Sequence, residues 1–367
     1  MDLFTPIRVG RLELPHRIVM APMARARSGL DRAPTPMVAD YYAQRAAAAL
    51  IVTEASTVSP VSVSRPHASG AYLDVHREGW KLVAEKVHAR GGRIFHQLYH
   101  LGRKADPSRM PNGISPVAPS PIAAKGQVAG ANGPVDFAVP RPLAIAEIPG
   151  VVEEFRAAAR NSLAAGMDGV EIHGANAYLI DQFLRDGANH RDDAYGGSIA
   201  NRARFLLEVA DAVISVFGAD RVGVRLSPHS RGDGIGDSDP AALYAYVASA
   251  LAERRIAYLH LVEAVVEGLP QSPAPGSVAV KAVVRRAFAG PLIVNGGYTR
   301  ESADAIIASG EADMVAFGAL FIANPDLVER LRRRAPFNKP DPSSFHNGGP
   351  QGYIDYPTLE QAMAADD

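Results

Sequence analysis

Residues 150–173, GVVEEFRAAARNSLAAGMDGVEIH, read as an amphipathic helix over 150–165 running into a short apolar strand over 169–173. The same alternation recurs along the chain. Short apolar runs, often β-branched, stand at 18–20, 50–53, 93–97, 169–173, 222–227, 258–262, 292–295 and 314–317, as expected of parallel strands joined by crossover helices. Each is followed by one helical segment, at 36–49, 77–90, 150–165, 198–217, 240–254, 277–289, 300–309 and 324–333. Ser198 with Asn201 three residues on, and Asn324-Pro325, supply start signals. Eight strand-helix units in one chain favour a closed (β/α)8 TIM barrel over an open sheet.

The alternating stretch from Ile7 to Leu14 predicts a hairpin capping the barrel bottom. Residues 101–147 are rich in Pro, Gly and Ala, too irregular for one element and too long for an idle connector, and so predict a lid after the third strand. The tail, 336–367, has the same character and is expected near the same mouth, with all of 1–367 forming one domain.

With 47% hydrophobic and 21% charged residues over 367 positions, the chain has the composition of an ordinary globular protein. A net charge of -1 gives no reason to expect a nucleic acid or a membrane surface as partner, which leaves a small molecule as the default ligand. The absence of cysteine excludes disulfides, thiolate nucleophiles and cysteine-ligated metal clusters. No basic leader and no apolar run near 18 residues is present, so a cytoplasmic protein is expected, as monomer or homodimer and without a metal.

In such a barrel the polar residues just after each strand line the active site. After the fourth strand come His173, Asn176 and Tyr178, two hydrogen-bond donors beside a weak acid, able to polarise a carbonyl or nitro group and supply a proton. A lone histidine in such a turn is more often a satisfied structural one; here the three occur together. Arg225 ends the fifth strand, where an apolar run has no structural use for an unpaired cation. It either braces the barrel through an ion pair or stabilises negative charge on a reduced cofactor. The seventh strand leads into Asn295-Gly296-Gly297 and the eighth into Phe317-Gly318-Ala319, the two loops that most often cradle a phosphate in this fold.

These residues and their order resemble the old yellow enzyme family, FMN-dependent ene-reductases. The likeness runs from Leu3-Phe4-Thr5-Pro6 to Tyr353-Ile354-Asp355-Tyr356-Pro357, through Met20-Ala21-Pro22-Met23, Val52-Thr53-Glu54-Ala55, Gln97 to Arg103, Val170 to Asn176, and Tyr195 to Arg202. The resemblance implies that Pro22, Met23, Ala55, Gln97 and Arg225 contact the flavin ring, with Ala24 at the same place. It implies that Gly296, Gly297, Phe317, Gly318 and Ala319 surround the phosphate end, and that Arg65, Tyr99 and Tyr353 line the substrate pocket. His173 and Asn176 would hold the electron-withdrawing oxygen of an α,β-unsaturated carbonyl or nitro compound, and Tyr178 would protonate its α-carbon. Flavin N5 would deliver the hydride, after reduction by NADPH or NADH.

Four positions depart from the family pattern. Ala24 stands where a threonine or cysteine is usual, Ala319 where an arginine meets the phosphate, Tyr99 where a tryptophan is frequent, and Arg65 near where a pocket tyrosine is common. Two other readings follow: a biosynthetic isomerase, desaturase or cyclase on the same scaffold, and a flavin-free binding paralogue.

Overall fold

The computed structural model describes residues 1–130, 133–230, 232–263, 277–346 and 348–366. Its centre is a closed barrel of eight parallel strands: Ile18–Met20, Leu50–Val52, Ile94–Tyr99, Gly169–Gly174, Val222–Leu226, Tyr258–Val262, Leu292–Asn295 and Met314–Phe317. The ring closes where Phe317 pairs with Met20 and where Gln97 pairs with Glu171. A two-residue strand, Ser56–Thr57, extends the second strand's line along the third.

Side chains alternate across each strand. Outward-facing Val170, Ile172, Val222 and Val224 pack with Phe155, Ala158, Phe205 and Val209 of the helices Ile148–Ala164 and Ile199–Phe217. At about 25 cal/mol per Å² of apolar surface removed from water, burial of this outer layer stabilises the barrel. Ser198 caps the second of these helices, its hydroxyl accepting from the Asn201 N–H at 3.2 Å.

Two expected helix boundaries are corrected. The helix after the first strand is Pro36–Gln44 and stops short of 49, because Arg45 turns inward and donates to the carbonyls of Phe321 and Ile322 at 2.7 and 2.8 Å. The eighth barrel helix is Leu327–Arg333; Asn324 instead closes a five-residue helix, Ala319–Ala323, its side chain donating to the Leu320 carbonyl.

The hairpin pairs Ile7–Val9 with Leu12–Leu14. Val9 and Leu14 are buried in one apolar cluster with Val19, Leu50, Tyr258 and Met314 from the beginnings of the strands. Gly10, at φ +56°, brings the turn so close that a Cβ would fall 1.8 Å from the Asp220 carbonyl oxygen.

Residues 101–147 contain short 3-10 turns, a parallel bridge of Val117–Ala118 with Arg141–Pro142, and an antiparallel pair, Gln127–Gly130 with Gly133–Asp136. Positions 131 and 132 of this stretch, and 347 and 367 of the tail, lie outside the described residues. The tail is tied to the chain leaving the first strand. Arg25 donates to the carbonyls of Phe345 and Gly352 at 2.8 and 2.9 Å, and Arg27 to that of Gly349 at 3.0 Å. Among the described residues no helix is long and apolar enough to cross a membrane.

Candidate active site

Strand register brings three nitrogen-bearing side chains into one row, His173 beside Arg225 and Arg225 beside His260. The His173 ring is almost wholly buried, and its Nδ1 accepts the Ala175 N–H at 3.3 Å. Burial, then the positive charge of Arg225, hold this imidazole well below the usual histidine range. A neutral ring whose Nδ1 is an acceptor carries its proton on Nε2, which is thereby a donor.

The loop beyond His173 is strained. Asn176 and Ala177 lie at φ +58° and +61°, and left-handed backbone costs a side-chain-bearing residue about 1–2 kcal/mol. Buried partners hold it there. The Asn176 N–H donates to Ser227 Oγ at 2.7 Å, the Ala177 N–H to Asp181 Oδ2 at 2.9 Å, and Gln182 Nε2 to the Ala177 carbonyl at 2.7 Å. Asp181 is ion-paired with Arg185 at 2.9 Å, both fully buried, and Arg185 in turn donates to the Ser227 carbonyl.

This loop sets Tyr178 edge-on to His173, with ring centroids 5.0 Å apart, and edge-on to Tyr99 at 5.1 Å. Ala55 packs on the same aromatic group. Lys104 lies 5.0 Å from the Tyr178 ring centre and is ion-paired with Asp233 at 2.5 Å. Sequence reasoning brought forward His173, Asn176, Tyr178, Tyr99 and Ala55, and the fold gathers them. It missed Lys104, Ser227, Asp181, Gln182 and Arg185; Asp181 and Arg185 stand at the i,i+4 spacing of a helical ion pair, a local signal that could have found them, whereas Lys104 and Ser227 come from distant segments.

Arg225 is buried and, among the described residues, donates one bond, to Asn295 Oδ1 at 3.0 Å, while Asn295 itself donates to the Ala316 carbonyl at 2.7 Å. Among the described residues its Nε has no partner. A buried donor left without an acceptor costs about 1–3 kcal/mol, so this nitrogen suits an acceptor on a bound ligand. Around the rim, Pro22 and Met23 are half-buried and Ala24 exposed, with the Ala24 backbone hydrogen-bonded by His346. Gly318 and Ala319 are half-buried, and a Cβ on Gly318 would meet only Met23, its Sδ at 3.5 Å, which leaves open room between the first and eighth strands. Gly296 is half-buried and Gly297, at φ +73°, is exposed, both following directly on Asn295; Phe317 is buried beneath this edge. An orphaned cationic donor beside an open glycine-lined edge fits a flavin ring carrying a phosphate tail.

The NADH:flavin oxidoreductase / NADH oxidase family matches residues 2–338. The chain belongs to that family, the old yellow enzymes. This old yellow enzyme is 44% identical to 12-oxophytodienoate reductase 7 of Oryza sativa subsp. japonica, an alignment covering 98% of this chain and 95% of that protein. Among solved structures, morphinone reductase superposes with a TM-score of 0.93 at 45% identity, covering 98% of this chain and 97% of the other. Its complex with tetrahydroNAD gives 0.92 at 45% identity, over 99% of both chains. The barrel and the reading as an FMN-dependent NAD(P)H oxidoreductase for α,β-unsaturated compounds therefore hold.

One pocket assignment is corrected. Tyr353 is fully buried, stacked on Tyr41 with centroids 4.1 Å apart, and covered by Arg25 and Arg27, so none of its surface is left for a substrate. Arg65 is exposed, and its charge acts on both the Tyr99 phenol and His346. No described residue pairs with its guanidinium.

Proposed function

We propose that the protein reduces the activated C=C bond of a small α,β-unsaturated carbonyl or nitro compound, with His173, Asn176 and Tyr178 as its catalytic residues. The carrying observation is the neutral His173 ring with its Nε2–H free to donate, edge-on to the Tyr178 phenol. His173 and Asn176 hold the substrate oxygen, and each such donor contributes a few kcal/mol where negative charge grows on that oxygen. Tyr178 stands beside them as the acid for the neighbouring carbon. FMN, when bound, supplies the hydride that NADPH or NADH has given it. Pro22, Met23, Ala24, Ala55, Gln97 and Arg225 are the residues proposed to face its ring. Gly296, Gly297, Phe317, Gly318 and Ala319 are proposed to lie at its phosphate end.

Residues 101–147 are the proposed lid, because Lys104 carries that segment onto the Tyr178 ring. Arg65 and Tyr99 form the outer pocket in this reading, and the free guanidinium favours a substrate bearing a carboxylate. A cytoplasmic protein of one domain, as monomer or homodimer, completes the proposal.

The test is an anaerobic titration. NADPH or NADH bleaches the flavin absorbance and cyclohexenone restores it; FMN-loaded protein that neither nicotinamide can reduce would sink the assignment.

A further inference from the structure

A second polar layer lies beneath the rim. Residues two apart on a strand face the same way, so Glu171 lies under His173 and Gln97 under Tyr99, about 6.6 Å lower along the strand. Glu171 is fully buried and accepts from Gln97 Nε2 at 2.6 Å, from the Tyr258 hydroxyl at 3.0 Å and from His260 Nδ1 at 2.9 Å. Gly223 on the fifth strand makes the room: a Cβ there would fall 2.2 Å from the Tyr258 ring.

The groups facing this carboxylate are thus Gln97 from the third strand, His173 from its own strand, Arg225 from the fifth, and Tyr258 and His260 from the sixth. Burial alone would push Glu171 up, but His260, Arg225 and Gln97 hold it below the usual carboxylate range. Burial and Arg225 push His260 down, so the imidazole is neutral and the layer carries one anion. That anion makes no ion pair with Arg225, whose guanidinium bonds to Asn295 instead. A carboxylate that merely braced the arginine would touch it; this one acts on it through space, across a buried interior where charges are less screened than at the surface.

We propose that Glu171 is a positioning residue whose fixed negative charge, one layer below the rim, offsets the Arg225 cation and sets how readily bound flavin takes up and gives away hydride. The inference rests on the FMN reading of the site. An uncompensated arginine would draw negative charge onto the reduced ring and hold it there. With Glu171 beneath, the pair is neutral and the reduced cofactor remains a competent donor.

Glu171→Gln removes the charge and keeps the shape; its amide can still meet Gln97, Tyr258 and His260 once the imidazole changes tautomer. The equilibrium of bound FMN, measured against a redox dye, is expected to move at least tenfold toward the reduced form, about 30 mV for a two-electron couple. Reduction by NADH should speed up while reoxidation by cyclohexenone slows, a split that simple structural damage does not produce. Glu171→Asp keeps the charge and should stay within about threefold of the wild type. Tyr258→Phe removes a donor that screens the carboxylate and should move the equilibrium slightly the opposite way; it decides the matter if Glu171→Gln does not retain FMN. An unmoved equilibrium in Glu171→Gln, equal shifts in the Gln and Asp variants, or a shift toward the reduced form in Tyr258→Phe overturns the proposal. Wild-type protein that takes up no FMN would instead remove the reading beneath it.

Discussion

The His173 and Tyr178 rings meet edge to face, centroids 5.0 Å apart and planes at 84°. An N–H donor and a phenolic acid therefore border one small space from different directions, as addition of hydrogen across a polarised double bond requires.

Tyr178→Phe keeps the ring packing against Tyr99 and His173 and removes only the acid. Stopped-flow reoxidation by an enone is expected to slow by about 10²- to 10⁴-fold, the usual contribution of a positioned general acid. Reduction by nicotinamide in the same variant should change by less than about threefold, because Tyr178 has no part in that half-reaction.

Acid should destabilise the protein early. Burial depresses His16, His76, His96, His100 and His173, with His96 and His100 down to about 3. A depressed imidazole binds its proton more readily in the unfolded chain, so its contribution to stability is complete above pH 6.5 and is lost as pH falls toward the folded values. Urea midpoints measured at pH 7.5, 5.5 and 4.5 should fall in that order, and a flat series would contradict the assignment. The same depression keeps His173 neutral, so ene-reduction should show no limb near pH 6.5 from this residue.

The strained loop depends on a buried ion pair. Asp181→Ala leaves Arg185 charged and unpaired inside the protein, a loss of about 3–5 kcal/mol that a lowered Tm would register. It also frees the Ala177 N–H, so the KM for enone should rise even where the variant stays folded. Unchanged KM in folded protein would show that the loop holds itself.

At Arg65 the expected effect is small and selective. Arg65→Gln should raise the KM of a carboxylate-bearing enone by about 1.5- to 5-fold, in line with an exposed ion pair of about 0.2–1 kcal/mol, and leave a neutral enone unaffected. Added salt should erase the difference. Equal effects on both substrates would mean that Arg65 shapes the pocket and binds no anion.

How much was legible beforehand varies with the range of the interaction. The barrel was, because each strand and helix announces itself within about 20 residues. Ser198 acted as the cap its neighbour Asn201 implied. Asn324-Pro325 misled, since the same signal also suits the residue that closes a preceding helix. Tyr353 misled for a different reason: its position in a conspicuous motif gave no hint that the ring stacks on Tyr41, more than three hundred residues away.

Local pattern was thus enough for the count of strands, the order of the polar residues that follow them, and the family they resemble. Only the closed barrel made Glu171 a buried anion shared by Gln97, Tyr258 and His260, left Arg225 Nε without a partner among the described residues, and turned His173 into a neutral N–H donor. Those properties are charge and solvation, and both depend on which strands lie side by side and how much water remains between them.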